Sequence, residues 1–225
     1  MKRLRIEPRK IADLAALAMA AAVVGGCAGA GSIERFYALN DGGVVQSTTT
    51  STTGLANQGP ALPGIVISAV TVPELVDRPQ IVTRDADNRV NVSEQNLWAE
   101  PVRAAIGRTL ATRLARAMVA AGRPAQVAAY PQSSIQNPYL RVTIDVVRFD
   151  AVPNGEAVID ALWSVRRSSD GAVRTGHTVA SSPISGISYD AIVRGWNEAL
   201  REVDRDIAAM VVQTTDSAPP VEPAR

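Results

Sequence analysis

The chain has 225 residues, with 23 Lys and Arg against 22 Asp and Glu, one His and one Cys. A net charge of +1 offers no electrostatic footprint for nucleic acid, a single Cys excludes an internal disulfide, and a single His leaves no His cluster for a metal or an acid–base constellation. Stability must come from an ordinary apolar core, which 46% hydrophobic residues can supply.

The N-terminus places Lys2, Arg3, Arg5, Arg9 and Lys10 before an uncharged, mostly small apolar run from Leu14 to Val24, followed by Gly25-Gly26-Cys27. A basic region, a short apolar region and small residues before a cut site are the parts of a secretory signal. A Cys directly after the small pair resembles the lipobox of bacterial lipoproteins, in which the thiol is lipidated and heads the mature chain. Residues 1–26 are therefore expected to be a signal peptide, Cys27 the lipidated residue and 27–32 a tether. The apolar run is well short of the roughly 20 residues that a membrane span needs. Gly and Ala around Cys27 offer little to bury it as an inert thiol. Val24 stands where a lipobox usually has Leu. Ala28, by resemblance to the sorting rule of enteric bacteria, points to the outer membrane. Loss of 1–26 removes five basic and two acidic side chains and leaves 18 against 20.

Beyond the tether, Arg35 to Leu39 reads as a short strand. Residues 40–63 turn to Ser, Thr, Gly, Gln and Pro, a composition that cannot offset its ordering entropy by burial, so a mobile loop is expected there. Ile65 to Val72 is β-branched and apolar until Pro73 stops it. Gln80 to Arg84 and Arg89 to Ser93 flank the turn-forming Asp85-Ala86-Asp87-Asn88 and predict a hairpin.

A helix is expected from about Trp98 to Ala121. Trp98, Val102, Ile106, Leu110, Leu114 and Met118 recur every four residues, with Arg103, Arg108, Arg113 and Arg116 off the stripe and Gly122 and Pro124 as stops. Leu140 to Val146 alternates apolar and polar, and a phase change near Val147 to Phe149 hints at a bulge. Ala157 to Arg167 and Val173 to Ser182 form two long strands joined at Ser169-Asp170-Gly171. Tyr189 to Val212 is a second helix, with Val193, Trp196, Leu200, Val203, Ile207 and Met210 inward. Residues 213–225 are polar and Pro-rich, a frayed tail. The whole predicts one α+β domain over 33–212, a mostly antiparallel sheet with two long helices on one face.

Catalytic chemistry finds no set of residues. His177 lies mid-strand as a plain sheet residue. Gly29-Ala30-Gly31 lacks the preceding strand and third glycine of a phosphate loop. Asp85-x-Asp87-Asn88 has Val90 and Asn96 where a calcium loop needs Gly and Glu. Asp145 and Asp160 fall on separate strands and read as carboxylates on a wet face. The helix arginines are spaced around the helix, a solvated face rather than a lipid-binding patch. No metal and no cofactor is expected apart from the lipid on Cys27, and no enzyme.

Three segments together resemble the PqiC-like ABC-type transport auxiliary lipoproteins. They are Phe36-Tyr37-Ala38-Leu39, then Val72-Pro73-Glu74-Leu75-Val76-Asp77-Arg78-Pro79-Gln80-Ile81-Val82-Thr83-Arg84 with Leu97-Trp98-Ala99-Glu100-Pro101, then Leu140 to Asp150 with the Trp163 strand and the closing helix. The resemblance spans nearly all of 33–212, and the Thr-rich loop departs from it by its length. It implies a non-catalytic outer-membrane protein facing the periplasm. The implied partner is an MCE-domain protein whose tunnel carries lipid between membranes, and the chain docks that tunnel, with a homo-oligomeric ring as one arrangement. A structural lipoprotein that supports or plugs an outer-membrane β-barrel is the alternative, and a hydrolase or ligand-binding lipoprotein the third. Pro73 and Pro79 bracket a tight excursion. It is expected either to present Leu75, Val76 and Arg78 to a partner, or to be a packing corner with Arg78 paired to Glu74 or Asp77.

Overall fold

The computed structural model describes residues 33–40, 63–85, 87–131, 135 and 138–216. The signal peptide, Cys27, the tether to residue 32, residues 41–62 of the Ser/Thr-rich loop and the tail from 217 lie outside the described residues. The chain divides into two units, Met1–Ile33 and Glu34–Arg225, and every element below belongs to the second. In chain order the elements are β1 (Arg35–Tyr37), β2 (Gly64–Thr71), β3 (Gln80–Arg84), β4 (Val90–Trp98), α1 (Val102–Ala120), β5 (Gln126–Ala129), β6 (Leu140–Ala151), β7 (Glu156–Arg167), β8 (Val173–Pro183) and α2 (Tyr189–Asp216).

These make a three-stranded sheet in the order β1-β4-β3 and a five-stranded sheet in the order β5-β2-β6-β7-β8. The architecture is the expected α+β one, with α1 on β2 and β5, and α2 on β6, β7 and β8. The long hairpins β6–β7 and β7–β8 are antiparallel, but β2 runs parallel to β5 and β6, and β1 parallel to β4. The sheets are therefore mixed, because strand periodicity records which face is buried and not which neighbour a strand chooses. Strand β5 has only four residues and no clean alternation, so its sequence carried no signal.

Both hairpin expectations hold. Asp85 closes the β3–β4 turn by accepting from the backbone N–H of Asp87 (3.0 Å) and of Arg89 (2.8 Å) and from Arg89 Nε (2.7 Å). The Arg89 guanidinium holds the exposed Asp85 carboxyl below its ordinary range. In β6 the register slips between Val146 and Arg148, which turns Val147 outward at 53% exposure and returns Phe149 to the core.

Helix α1 begins later than the stripe suggests. Pro101 takes the N-cap position with φ −54°, and its carbonyl accepts from Ala104 and Ala105. Trp98 instead ends β4, its N–H donating to the Pro79 carbonyl at 2.7 Å. The helix stops at Gly122, whose φ of +71° lets Arg123 N–H reach back to the Met118 carbonyl. Helix α2 runs four residues past its expected end. Thr214 and Thr215 bond back to Met210 and Val211, and the buried Arg167 donates to the Thr214 carbonyl at 3.0 Å.

The two sheets and α2 meet at an aromatic cluster. Phe149 of β6 stacks on Trp196 of α2 with centroids 4.7 Å apart, and Trp98 of β4 lies 5.5 Å from Trp196. Trp196 is fully buried, and its indole N–H donates to the Asp150 carbonyl at 3.0 Å.

Candidate functional site

The Pro73–Pro79 excursion joins β2 to β3. Without an N–H of its own, Pro73 ends β2 and offers its carbonyl to Val76 (3.0 Å) and Asp77 (3.2 Å), one tight turn. The turn rolls Val76 inward to 4% exposure, leaves Leu75 half-buried against the core, and exposes Arg78. The three residues expected on one presented surface thus separate. Val76 is corrected to an anchor of the loop, because the turn needs an apolar side chain beneath it. Arg78 stands outward and Leu75 lies between.

A hollow of about 320 Å³ opens beside this loop. Asp77, Arg78 and Pro79 form one wall, Ala99, Glu100, Pro101 and Arg103 the other, with Trp98 between them. The expected pairing of Arg78 with Glu74 or Asp77 does not occur. Asp77 binds Arg103 Nη1 at 2.6 Å, and Glu100 is held by Arg108. Both carboxylates are spoken for, so Arg78 has no carboxylate partner among the described residues. The hollow therefore combines a Trp-lined floor with one outward, uncompensated guanidinium, a geometry suited to a carboxylate or a carbonyl-rich loop of another protein.

The other candidates are placed elsewhere. His177 Nε2 lies 2.7 Å from Asp160 Oδ1 on the helix-free side of the five-stranded sheet. Asp145 accepts from Thr71 Oγ1 at 2.5 Å, so the two strand carboxylates serve separate neighbours and form no pair. Trp163 is buried, its N–H donating to Thr178, which in turn donates to Asp206 of α2. Among the described residues, no group of His, Cys, Asp and Glu is arranged to hold a metal ion. No described helix is long and apolar enough to cross a membrane.

Sequence reasoning missed a polar clamp where the first strand leaves the core. Arg113 of α1 pairs with Asp204 of α2 at 2.5 Å, both nearly buried, and donates to the Asn40 carbonyl at 2.8 Å. Arg108 donates to the Leu39 carbonyl at 3.1 Å, and Asn40 N–H donates to Asn197 Oδ1 at 3.0 Å. Burial pushes the Asp204 carboxyl up to about 6, against the pull of the Arg113 guanidinium. The only sequence signal was Arg113 and Asp204 lying close to the apolar stripes of their helices.

Known proteins agree with this architecture. No curated protein matches the chain. The crystal structure of an uncharacterized protein superposes with a TM-score of 0.60 at 18% identity, covering 80% of this chain and 99% of that one. Protein XCC0632 from Xanthomonas campestris superposes at 0.53 with 21% identity, over 70% of this chain and 88% of its own. At such identities the likeness concerns the fold. The family model of the ABC-type transport auxiliary lipoprotein component matches residues 44–208, a span that takes in the Pro73–Pro79 turn, its hollow, all of α1, most of α2 and the aromatic cluster. The chain belongs to that family of transport auxiliary lipoproteins.

Proposed function

We propose that this protein is the outer-membrane member of an intermembrane lipid transport system, acylated at Cys27, facing the periplasm and docking the tunnel of an MCE-domain partner. Membership of the auxiliary lipoprotein family supports the reading, and the hollow beside Arg78 is the contact proposed for it. The role is one of binding rather than catalysis. Arg78 meets a partner carbonyl or carboxylate, Leu75 adds apolar contact, and the core-anchored Val76 keeps the turn rigid, so little ordering entropy is lost on docking. Several acyl chains at one residue hold the domain firmly, each buried CH2 adding about 0.8 kcal/mol. The tether then raises the local concentration of the docking surface around a tunnel tip.

Purification of the native lipidated protein tests this directly. The expected result is co-purification of an MCE-domain protein, weakened about tenfold by Arg78→Ala, which matches the 1–2 kcal/mol of an interfacial arginine. Recovery of a β-barrel protein instead would replace tunnel docking by barrel support.

A further inference from the structure

We propose that strand β8 pairs antiparallel with β8 of a second copy, joining two five-stranded sheets into one about a two-fold axis at Gly176. The inference is independent of Cys27 acylation and of an MCE-domain partner. It also differs from a ring, because an isologous contact closes at two copies.

Hydrogen bonding to the inner neighbour fixes what the edge offers. β8 ends the five-stranded sheet, and its 11 residues pair with β7 in unbroken register. At one end of that hairpin Arg167 N–H donates to the Ala172 carbonyl (2.9 Å), and at the other Ile184 N–H donates to the Gly155 carbonyl (2.8 Å). Antiparallel pairs alternate between bonded and unbonded, so the even-numbered residues of β8 bond to β7. The odd-numbered Val173, Thr175, His177, Val179 and Ser181 turn their N–H and C=O groups outward. Among the described residues none of those N–H groups has an acceptor. Exposed edges are ordinarily broken by a bulge or a proline. This one has no bulge, and no proline before Pro183.

Side chains select a second copy as the occupant. Those of Val173, Thr175, His177 and Val179 lie on the helix-free side and read the same in polarity from either end. Antiparallel self-pairing sets Val173 against Val179 of the second copy and Thr175 against its His177, apolar on apolar and polar on polar. Val173 is 54% and Val179 61% exposed in the single chain. The same register puts Gly176 on the axis, where any side chain would meet its own copy, and the Trp163 ring already covers that glycine. On the helix side Arg174 faces Thr178 of the second copy in an unbonded pair, the closer of the two kinds. Thr178 donates to the exposed Asp206 of α2 at 2.8 Å, and Glu202 stands one turn back on the same helix face. Arg174 is exposed and has no carboxylate partner among the described residues. Two-fold symmetry thus brings each guanidinium toward Asp206 of the other copy. The neighbouring register, with His177 against itself, would set Arg174 against Ala180 and lose both matches.

The test applies sedimentation and amide hydrogen exchange to the full chain, expressed with its leader and extracted from membranes. The expected result is a two-copy mass. Exchange at Val173, Thr175, His177 and Val179 should slow about tenfold or more as concentration rises, while Ser181 stays fast. Arg174→Asp or Asp206→Arg should weaken association about tenfold, and the double variant should restore it to within about threefold. Slow exchange at Thr178 and Ala180, which bond to β7, reports that each variant is folded. A chain that stays single up to about 100 μM overturns the proposal, as does a two-copy mass with fast exchange along β8. Slowed exchange in a single-copy mass, from a strand of another protein on the edge, overturns the second copy as occupant. Slowed Ser181 overturns the register, and a double variant as weak as either single one overturns the Arg174–Asp206 contact. The unsubstituted chain decides the strand pairing without any variant.

Discussion

The two sheets are built on opposite principles. The five-stranded sheet is dominated by β6, β7 and β8, consecutive strands joined by short turns and paired along nearly their whole lengths. The three-stranded sheet owes much of its order to contacts distant in sequence. Its β1 is three residues long and pairs with β4 some sixty residues away. The chain just after β1 is fastened by side chains of both helices, through Arg108, Arg113 and Asn197. Trp98 at the end of β4 is fixed by Phe149 and Trp196. The region bearing the candidate site thus borrows its rigidity from the larger layer. Local hairpins specify the scaffold, and long-range contacts specify the surface proposed to dock a partner.

The largest expected effect comes from cutting the link between the two. Trp196→Ala removes a fully buried ring that touches Phe149 and Trp98, and should cost about 4 kcal/mol. Urea unfolding followed by circular dichroism should show one earlier transition. Two separated transitions, with the small sheet leaving first, would show that it borrows less than argued.

Next in size is the clamp. The native Asp204 carboxyl, at about 6, holds its proton more tightly than the unfolded chain does at its ordinary 3.8. Its contribution to stability is therefore present in full below about pH 4 and is lost as pH rises through about 6, a difference of the order of 3 kcal/mol. Asp204→Asn should abolish that slope. The check is the gap in thermal midpoint between the two proteins at about pH 4.5 and pH 7, and a gap that does not change with pH contradicts the assignment.

A smaller effect tests the large sheet alone. A Cβ at Gly176 would overlap the ring of Trp163 on the neighbouring strand. Gly176→Ala should cost about 2 kcal/mol while leaving the proposed capture of an MCE-domain protein unchanged in the folded fraction. Loss of capture there would mean that the layers are coupled more tightly than the contacts imply. The smallest effect is on strand β1. Phe36→Ser should change the urea midpoint by less than about 0.5 kcal/mol equivalent, because the ring is mostly solvent-exposed already.

Much of this was legible in residue order. Both helices, the 80–98 and 156–183 hairpins, the bulge in β6 and the burial of Trp196 follow from period and turn chemistry. Strand β5 did not, since four residues without alternation carry no period. The start of α1 was misread because Trp98 falls by chance on the helix stripe, although Pro101 marked the true entry. At the candidate site the prolines announced a tight turn. Which of its side chains would face out depended on its rotation, and the identity of Arg78 as the uncompensated cation depended on Arg103 capturing Asp77 from another element.

Sequence by itself determined most of the secondary structure, the α+β class and the family resemblance, because these rest on local periodicity, turn residues and motif order along the chain. Only the tertiary structure decided the direction of strand pairing, the fate of Val76, the clamp around Asn40 and the exposure of Phe36. Each of these is settled by which distant groups compete for the same space or the same hydrogen bond, and that competition exists only once the chain has closed on itself.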